Sequence, residues 1–108
     1  MRPDGCRPIL LYDEAVDMRK SFDGLSALVE AAFPAELLTG SLFLFLNRRR
    51  SLIKILSWDG DGFVIWYKRL EQGTFADCFS GCRTLTRQQF VLLLEGVVPK
   101  RLSRRFSL

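Results

Sequence analysis

Histidine is absent from this 108-residue chain. That absence excludes a Ser-His-Asp triad, a Cys-His dyad, an HExxH zinc site and a Cys₂His₂ finger built within the chain. A proton shuttle near neutral pH would need a shifted carboxylate, thiol or lysine instead. Cysteine is scarce. Cys6, Cys78 and Cys82 make an odd set, a poor basis for a disulfide framework. The N-terminus is polar, with Pro3, Asp4, Gly5 and Pro8, and does not resemble a signal peptide. A reducing cytoplasm is the expected compartment. No apolar run approaches the length that crosses a bilayer, so no membrane association is expected.

What is present is globular in proportion: 48% hydrophobic, 26% charged and 12% aromatic, with nine Phe. The length suits one domain. Lys and Arg total 16 against 12 Asp and Glu, for a net charge of +4. Lys100, Arg101, Arg104 and Arg105 account for that excess, so the rest of the chain is balanced. The organisation expected is one α+β domain over 1–98, with a short N-terminal extension, and a basic tail over 99–108 whose order the sequence leaves open. Such a tail suits nucleic acid, an acidic protein patch or plain solvation.

Residues 8–12 read as a short strand. Asp17 is a plausible helix N-cap, and Met18, Phe22, Leu25, Val29 and Ala32 or Phe33 then form one apolar stripe. Pro34 stops that helix. Gly24 inside it costs about 1 kcal/mol relative to Ala, which close packing on another backbone or a break would explain. Residues 41–69 read as a three-stranded meander, Leu42–Leu46, Leu52–Trp58 and Phe63–Arg69. Its turns are Asn47–Ser51 and Asp59–Gly62, where Asp and Gly tolerate positive φ. A short fourth strand is expected around Thr74 to Ala76. The fold expected is therefore α+β, an antiparallel sheet of about four strands with two packed helices.

The turns predict a register: Trp58 opposite Phe63, Leu56 opposite Ile65, Lys54 opposite Tyr67, and Leu46 opposite Leu52. Leu42, Leu44, Leu46, Leu56, Trp58, Phe63 and Ile65 then share one face. Phe43, Phe45, Ile53, Ile55, Val64 and Trp66 share the other. Both faces are apolar and both need cover, either from helices on opposite sides or from a partner. The second helix is expected over Thr86 to Glu95, with Thr86 and Gln89 as a capping box and Gly96 as the stop.

Three basic segments are candidates for phosphate contact: Arg48, Arg49 and Arg50 on a hairpin tip, Lys68 and Arg69 at a strand end, and the tail. Guanidinium forks match phosphate oxygens. The plainer reading of the hairpin is a solvated turn that discourages edge pairing. Asp59 and Asp61 could serve a hard cation, and hence a nuclease, but no third carboxylate accompanies them. Turn geometry is the simpler account. Cys78 and Cys82, even with Cys6, fall short of four zinc ligands, so no metal and no cofactor is expected.

Several motifs in fixed order carry a family resemblance. They are Asp17-Met18-Arg19-Lys20-Ser21-Phe22-Asp23-Gly24-Leu25, Leu42-Phe43-Leu44-Phe45 with its Arg turn, Trp58-Asp59-Gly60-Asp61-Gly62-Phe63, and Tyr67-Lys68-Arg69-Leu70-Glu71-Gln72-Gly73-Thr74-Phe75. Leu85-Thr86 with Gln89 and Leu93-Leu94-Glu95-Gly96 complete the set. Together they resemble the TnpB accessory proteins, the second-reading-frame products of insertion-sequence-66-type bacterial transposons. The resemblance spans roughly residues 8 to 97. Ser21 stands where the family usually has Gly, and Ala76 to Arg83 lacks a common Trp-Pro. The resemblance implies a non-catalytic helper of a separate transposase, with no catalytic residues to carry over. Among its motif positions, Gly60 and Gly62 suit the turn, and Phe22 and Trp58 suit packing. Arg19 and Lys20 suit contact. The partners expected are that transposase and DNA. A protein adaptor that docks on the transposase through an apolar sheet face is the alternative, and self-association is left open.

Overall fold

A computed structural model describes residues 7–76 and 83–96. Cys6, Cys78, Cys82 and the whole 99–108 tail, including Lys100, Arg101, Arg104 and Arg105, lie outside the described residues. In chain order the elements are β1 (Ile9–Leu11), α1 (Phe22–Ala32), β2 (Leu42–Leu46), β3 (Leu52–Trp58), β4 (Phe63–Arg69), β5 (Thr84–Leu85) and α2 (Arg87–Glu95).

The β2–β3–β4 meander forms where the apolar runs and turns place it. The sheet is nevertheless larger than four antiparallel strands: among the described residues it has five, in the order β4-β3-β2-β1-β5, and it is mixed. β1 runs parallel to β2, with Ile9 beside Leu42, because helix α1 lies between them as a crossover and returns the chain in the same direction. The expected strand at Thr74 to Ala76 reduces to a single bridge residue at Thr74. The outer strand beyond β1 is β5, antiparallel to it.

Register holds across the Asp59–Gly62 turn, where Trp58 faces Phe63, Leu56 faces Ile65 and Lys54 faces Tyr67. It differs by one residue across the first turn, where Leu46 faces Ile53 rather than Leu52. Asn47 is the reason. Its amide oxygen accepts from Ser51 N–H at 2.9 Å and Leu52 N–H at 3.0 Å, and its own N–H donates to Leu52 O. That closure leaves four residues in the loop, with Arg50 in the left-handed region at φ 59°. A one-residue slip exchanges the faces of β2 relative to β3.

The corrected register sorts the core into two clusters. Phe43, Phe45 and Leu56 pack with Leu10, Val16, Leu25, Val29 and Phe33 under α1. Leu44, Leu46, Ile53 and Ile55 pack with Ile9, Leu11, Phe75, Leu85 and Leu93 under α2. The helices thus cover opposite faces of one sheet, which is why neither face alternates apolar and polar.

Helix α1 begins four residues later than Asp17 as cap would place it, with Ser21 at the N-cap. The Asp17 carboxylate instead accepts from Arg19 N–H at 2.9 Å, a local turn that competes with helix. Lys54 Nζ takes the Met18 and Lys20 carbonyls at 2.8 Å each, so those oxygens serve the sheet rather than a helical ladder. Phe22 is 43% exposed and does not pack in the core. Gly24 lies in the first turn of α1. A Cβ there would sit 3.2 Å from the Lys20 stem, not against another element's backbone. Helix α2 forms as expected: Thr86 and Gln89 make both bonds of a capping box, and Gly96 ends it at φ 76°.

Candidate nucleic-acid interface

The Arg48–Arg50 turn divides its three cations. Arg48 and Arg49 are exposed at the tip. Arg50 is half-buried and turned back onto the body: its Nε donates to Phe75 O at 3.3 Å and its Nη2 donates to Ala76 O, while Phe75 N–H donates to Arg50 O at 2.7 Å. Arg50 therefore anchors the chain that follows β4.

Strand pairing places the other bases relative to this tip. β3 leaves the turn at Leu52, directly opposite Arg69, the last residue of β4. β2 enters the turn at Leu46, whose carbonyl accepts from Val16 N–H at 2.9 Å. The segment from Val16 to Lys20 consequently crosses the same end of the sheet, held there by Lys54. Arg19, Lys20, Arg48, Arg49 and Arg69 thus share one end of the sheet.

Acids are interleaved with them. Arg19 Nη2 lies 2.7 Å from Asp17 Oδ2, and Arg69 Nε lies 3.2 Å from Glu71 Oε2, both pairs open to solvent. The Arg19 fork, through its side-chain and backbone bonds, lowers the Asp17 pKa from 3.8 to about 2. Asp13 and Glu14 line a shallow pocket beside Arg48 and Arg50. The end of the sheet carries both signs of charge: Lys20 adds to the field on Asp17, and Arg48 and Arg49 are exposed at the tip.

Lys68 belongs elsewhere. Its side chain projects from the α2 face of β4, and Nζ donates to Leu94 O at 3.3 Å, satisfying a carbonyl at the end of α2. Asp59 and Asp61 sit at the far end of the sheet. There Asp59 N–H donates to Gly62 O at 2.8 Å and Gly60 takes φ 90°. Among the described residues no group of three His, Cys, Asp or Glu side chains could hold a metal ion. Trp58 meets Phe63 edge-on at 5.0 Å, and Asp23 stands in the first turn of α1, where a negative charge suits the helix dipole.

Among the described residues, structural cations not singled out from the sequence include Arg7, whose Nε donates to Gly40 O at 2.7 Å, Lys54 and Arg83. Lys54, besides its two carbonyl bonds, lies 5.0 Å from the centre of the Tyr67 ring. A lysine interrupting an apolar strand opposite a tyrosine was the available signal. Arg83 donates to Ala32 O at 2.6 Å and stacks over Phe33 at 4.6 Å, closing the C-terminus of α1; its position in sequence carried no such signal.

The described residues form a small α+β domain, with a helix on each face of one mixed sheet and exposed arginines on a hairpin tip. The chain belongs to the IS66 Orf2-like family, whose model, described as "IS66 Orf2 like protein", matches residues 7–104. The family ties it to insertion-sequence elements and to transposition. It is similar to the uncharacterized protein y4jC of Sinorhizobium fredii, 31% identical over 99 residues, covering 90% of this chain and 85% of that one. It is also similar to the uncharacterized protein y4hO of the same organism, 34% identical over 83 residues, covering 75% of this chain and 72% of the other. No solved structure matches. No helix among the described residues is long and apolar enough to cross a membrane.

Proposed function

We propose that this chain is a non-catalytic accessory protein of DNA transposition that works in the cytoplasm and assists a separate transposase through basic contacts to DNA phosphates. The observation that carries this reading is the exposed Arg48–Arg49 tip, at the same sheet end as Arg19, Lys20 and Arg69. Family membership supports the setting. The four bases of the tail add charge to the chain. Phosphate contact positions a protein without reading sequence, which suits a helper rather than a site-selecting factor.

The test is a titration of the full chain with duplex DNA at several salt concentrations. Counterion release makes log affinity fall linearly with log salt, and replacing both Arg48 and Arg49 by Ala lowers the slope by about 2. Absence of binding at low salt overturns direct contact. Cleavage of DNA by the purified chain overturns the non-catalytic reading.

The second reading is a protein adaptor that docks on the transposase without touching DNA. The helices cover both sheet faces over the core, so a docking face on the sheet itself is restricted. Val91 and Leu92, 50% and 55% exposed on α2 beside Arg87 and Gln88, favour this reading. It requires co-purification with the transposase that survives nuclease treatment and the change of Arg48 and Arg49 to Glu.

A further inference from the structure

We infer that the open edge of β4 pairs with the same edge of a second copy of this chain, antiparallel and centred on Ile65, so that two five-stranded sheets become one.

β4 is the terminal strand on its side of the sheet, and among the described residues no strand lies outside it. It is seven residues long and matched to β3 at every position without a bulge. Edge strands are ordinarily blunted by charge, proline, a bulge or short length. From Phe63 to Tyr67 this edge has none of these. Val64 and Trp66, 47% and 46% exposed, share one face of this edge, and Tyr67, 52% exposed, lies on the other.

The ladder determines which backbone groups are open. Asp59 N–H donates to Gly62 O, and Leu70 N–H donates to Ser51 O. In an antiparallel pair the bonded positions alternate, so the even-numbered residues of β4 exchange bonds with β3. The N–H and C=O groups of Phe63, Ile65, Tyr67 and Arg69 therefore point to the open edge. A two-fold axis at Ile65 sets Ile65 against Ile65 as a doubly bonded pair, and Phe63 against Tyr67 on each side of it. It also brings Val64 against Trp66. Aromatic and β-branched pairs of this kind are the favourable cross-strand combinations.

Charge selects that centre over its neighbours. Asp61 stands just before β4 and Arg69 ends it. The Ile65 centre places Asp61 opposite Arg69 of the second copy, twice by symmetry. Shifting the axis to Trp66 places Asp61 opposite Glu71 and sets Phe63 against Arg69. Shifting it to Val64 shortens the strand overlap to Phe63–Ile65. Arg69 already contacts Glu71 in its own chain, but that pair is exposed and weak, and leaves the guanidinium able to turn to Asp61.

Sedimentation velocity of the full chain, without DNA and at low salt, reads the result. The expected outcome is a reversible dimer whose dissociation constant rises about tenfold or more for Asp61→Arg and for Arg69→Asp alone, and returns toward the original value when the two are combined. Trp66→Lys, at an exposed position, yields monomer with an unchanged circular dichroism spectrum. A chain that stays monomeric at every concentration overturns the inference. So does a dimer indifferent to Trp66→Lys, or one that the combined charge exchange fails to restore. A monomer that still binds DNA with a steep salt dependence would leave the transposition reading standing, so the two proposals fail separately.

Discussion

Arg50 and Phe75 hold each other through three atoms of backbone and one side chain: Phe75 N–H donates to Arg50 O at 2.7 Å, and Arg50 Nε returns a bond to Phe75 O at 3.3 Å. The Phe75 ring is fully buried under α2, so this clasp sets the path of the chain leaving β4 against the core.

Arg50→Ala should therefore destabilise the fold by about 1–3 kcal/mol, because carbonyls of buried Phe75 and Ala76 lose a charged donor. Arg48→Ala and Arg49→Ala, at the exposed tip, should stay within about 0.5 kcal/mol. Urea unfolding of the three variants checks the contrast. Equal losses would remove the distinction between an anchoring and a contacting arginine.

Lys54 joins the 17–20 turn to the sheet. Replacing it with Met keeps the stem but abandons the Met18 and Lys20 carbonyls, and should cost about 1–3 kcal/mol. Tyr67→Leu removes the ring beneath the ammonium and should cost about 0.5–1 kcal/mol by itself. A double-mutant cycle on these two positions should show a non-zero coupling energy, since they share one contact.

Helix α2 is tied at both ends. Thr86→Ala removes the hydroxyl that accepts from Gln89 N–H at 3.1 Å and should cost about 1 kcal/mol. Lys68→Met withdraws the cation from Leu94 O at the other end and should cost about 0.3–1 kcal/mol. The losses should add, because the two sites share no partner. Thermal unfolding of the single and double variants measures this.

The Asp17 carboxyl should titrate near 2 rather than near 3.8, as followed by NMR of its side-chain carbon. Its folded pKa is depressed, so its contribution to stability is full above the unfolded value and is lost as pH falls from about 3.8 through about 2. Arg19→Gln should return the midpoint toward 3.8, since the Arg19 fork is the main cause of the shift. Added salt should act in the same direction, because the pair is exposed.

The three meander strands, the stop of α1 before Pro34 and both caps of α2 were decided locally, by apolar runs, by Asp-Gly geometry and by the reach of a threonine hydroxyl. They were legible in the sequence for that reason. So was the need to cover both sheet faces, since the strands carry apolar side chains on each. Three features were settled only by contacts between segments far apart in the chain. β1 pairs parallel to β2 because α1 carries the chain across the sheet. Asp17 turns toward Arg19 instead of capping a helix because Lys54 draws off the neighbouring carbonyls. Of the three consecutive arginines, Arg50 alone folds inward, because the carbonyls of Phe75 and Ala76, brought beside the loop by the chain that follows β4, accept from its guanidinium. Sequence order could name every basic residue here. Which of them bonds a carbonyl, pairs with an acid or faces water depends on partners brought close only when the sheet assembles.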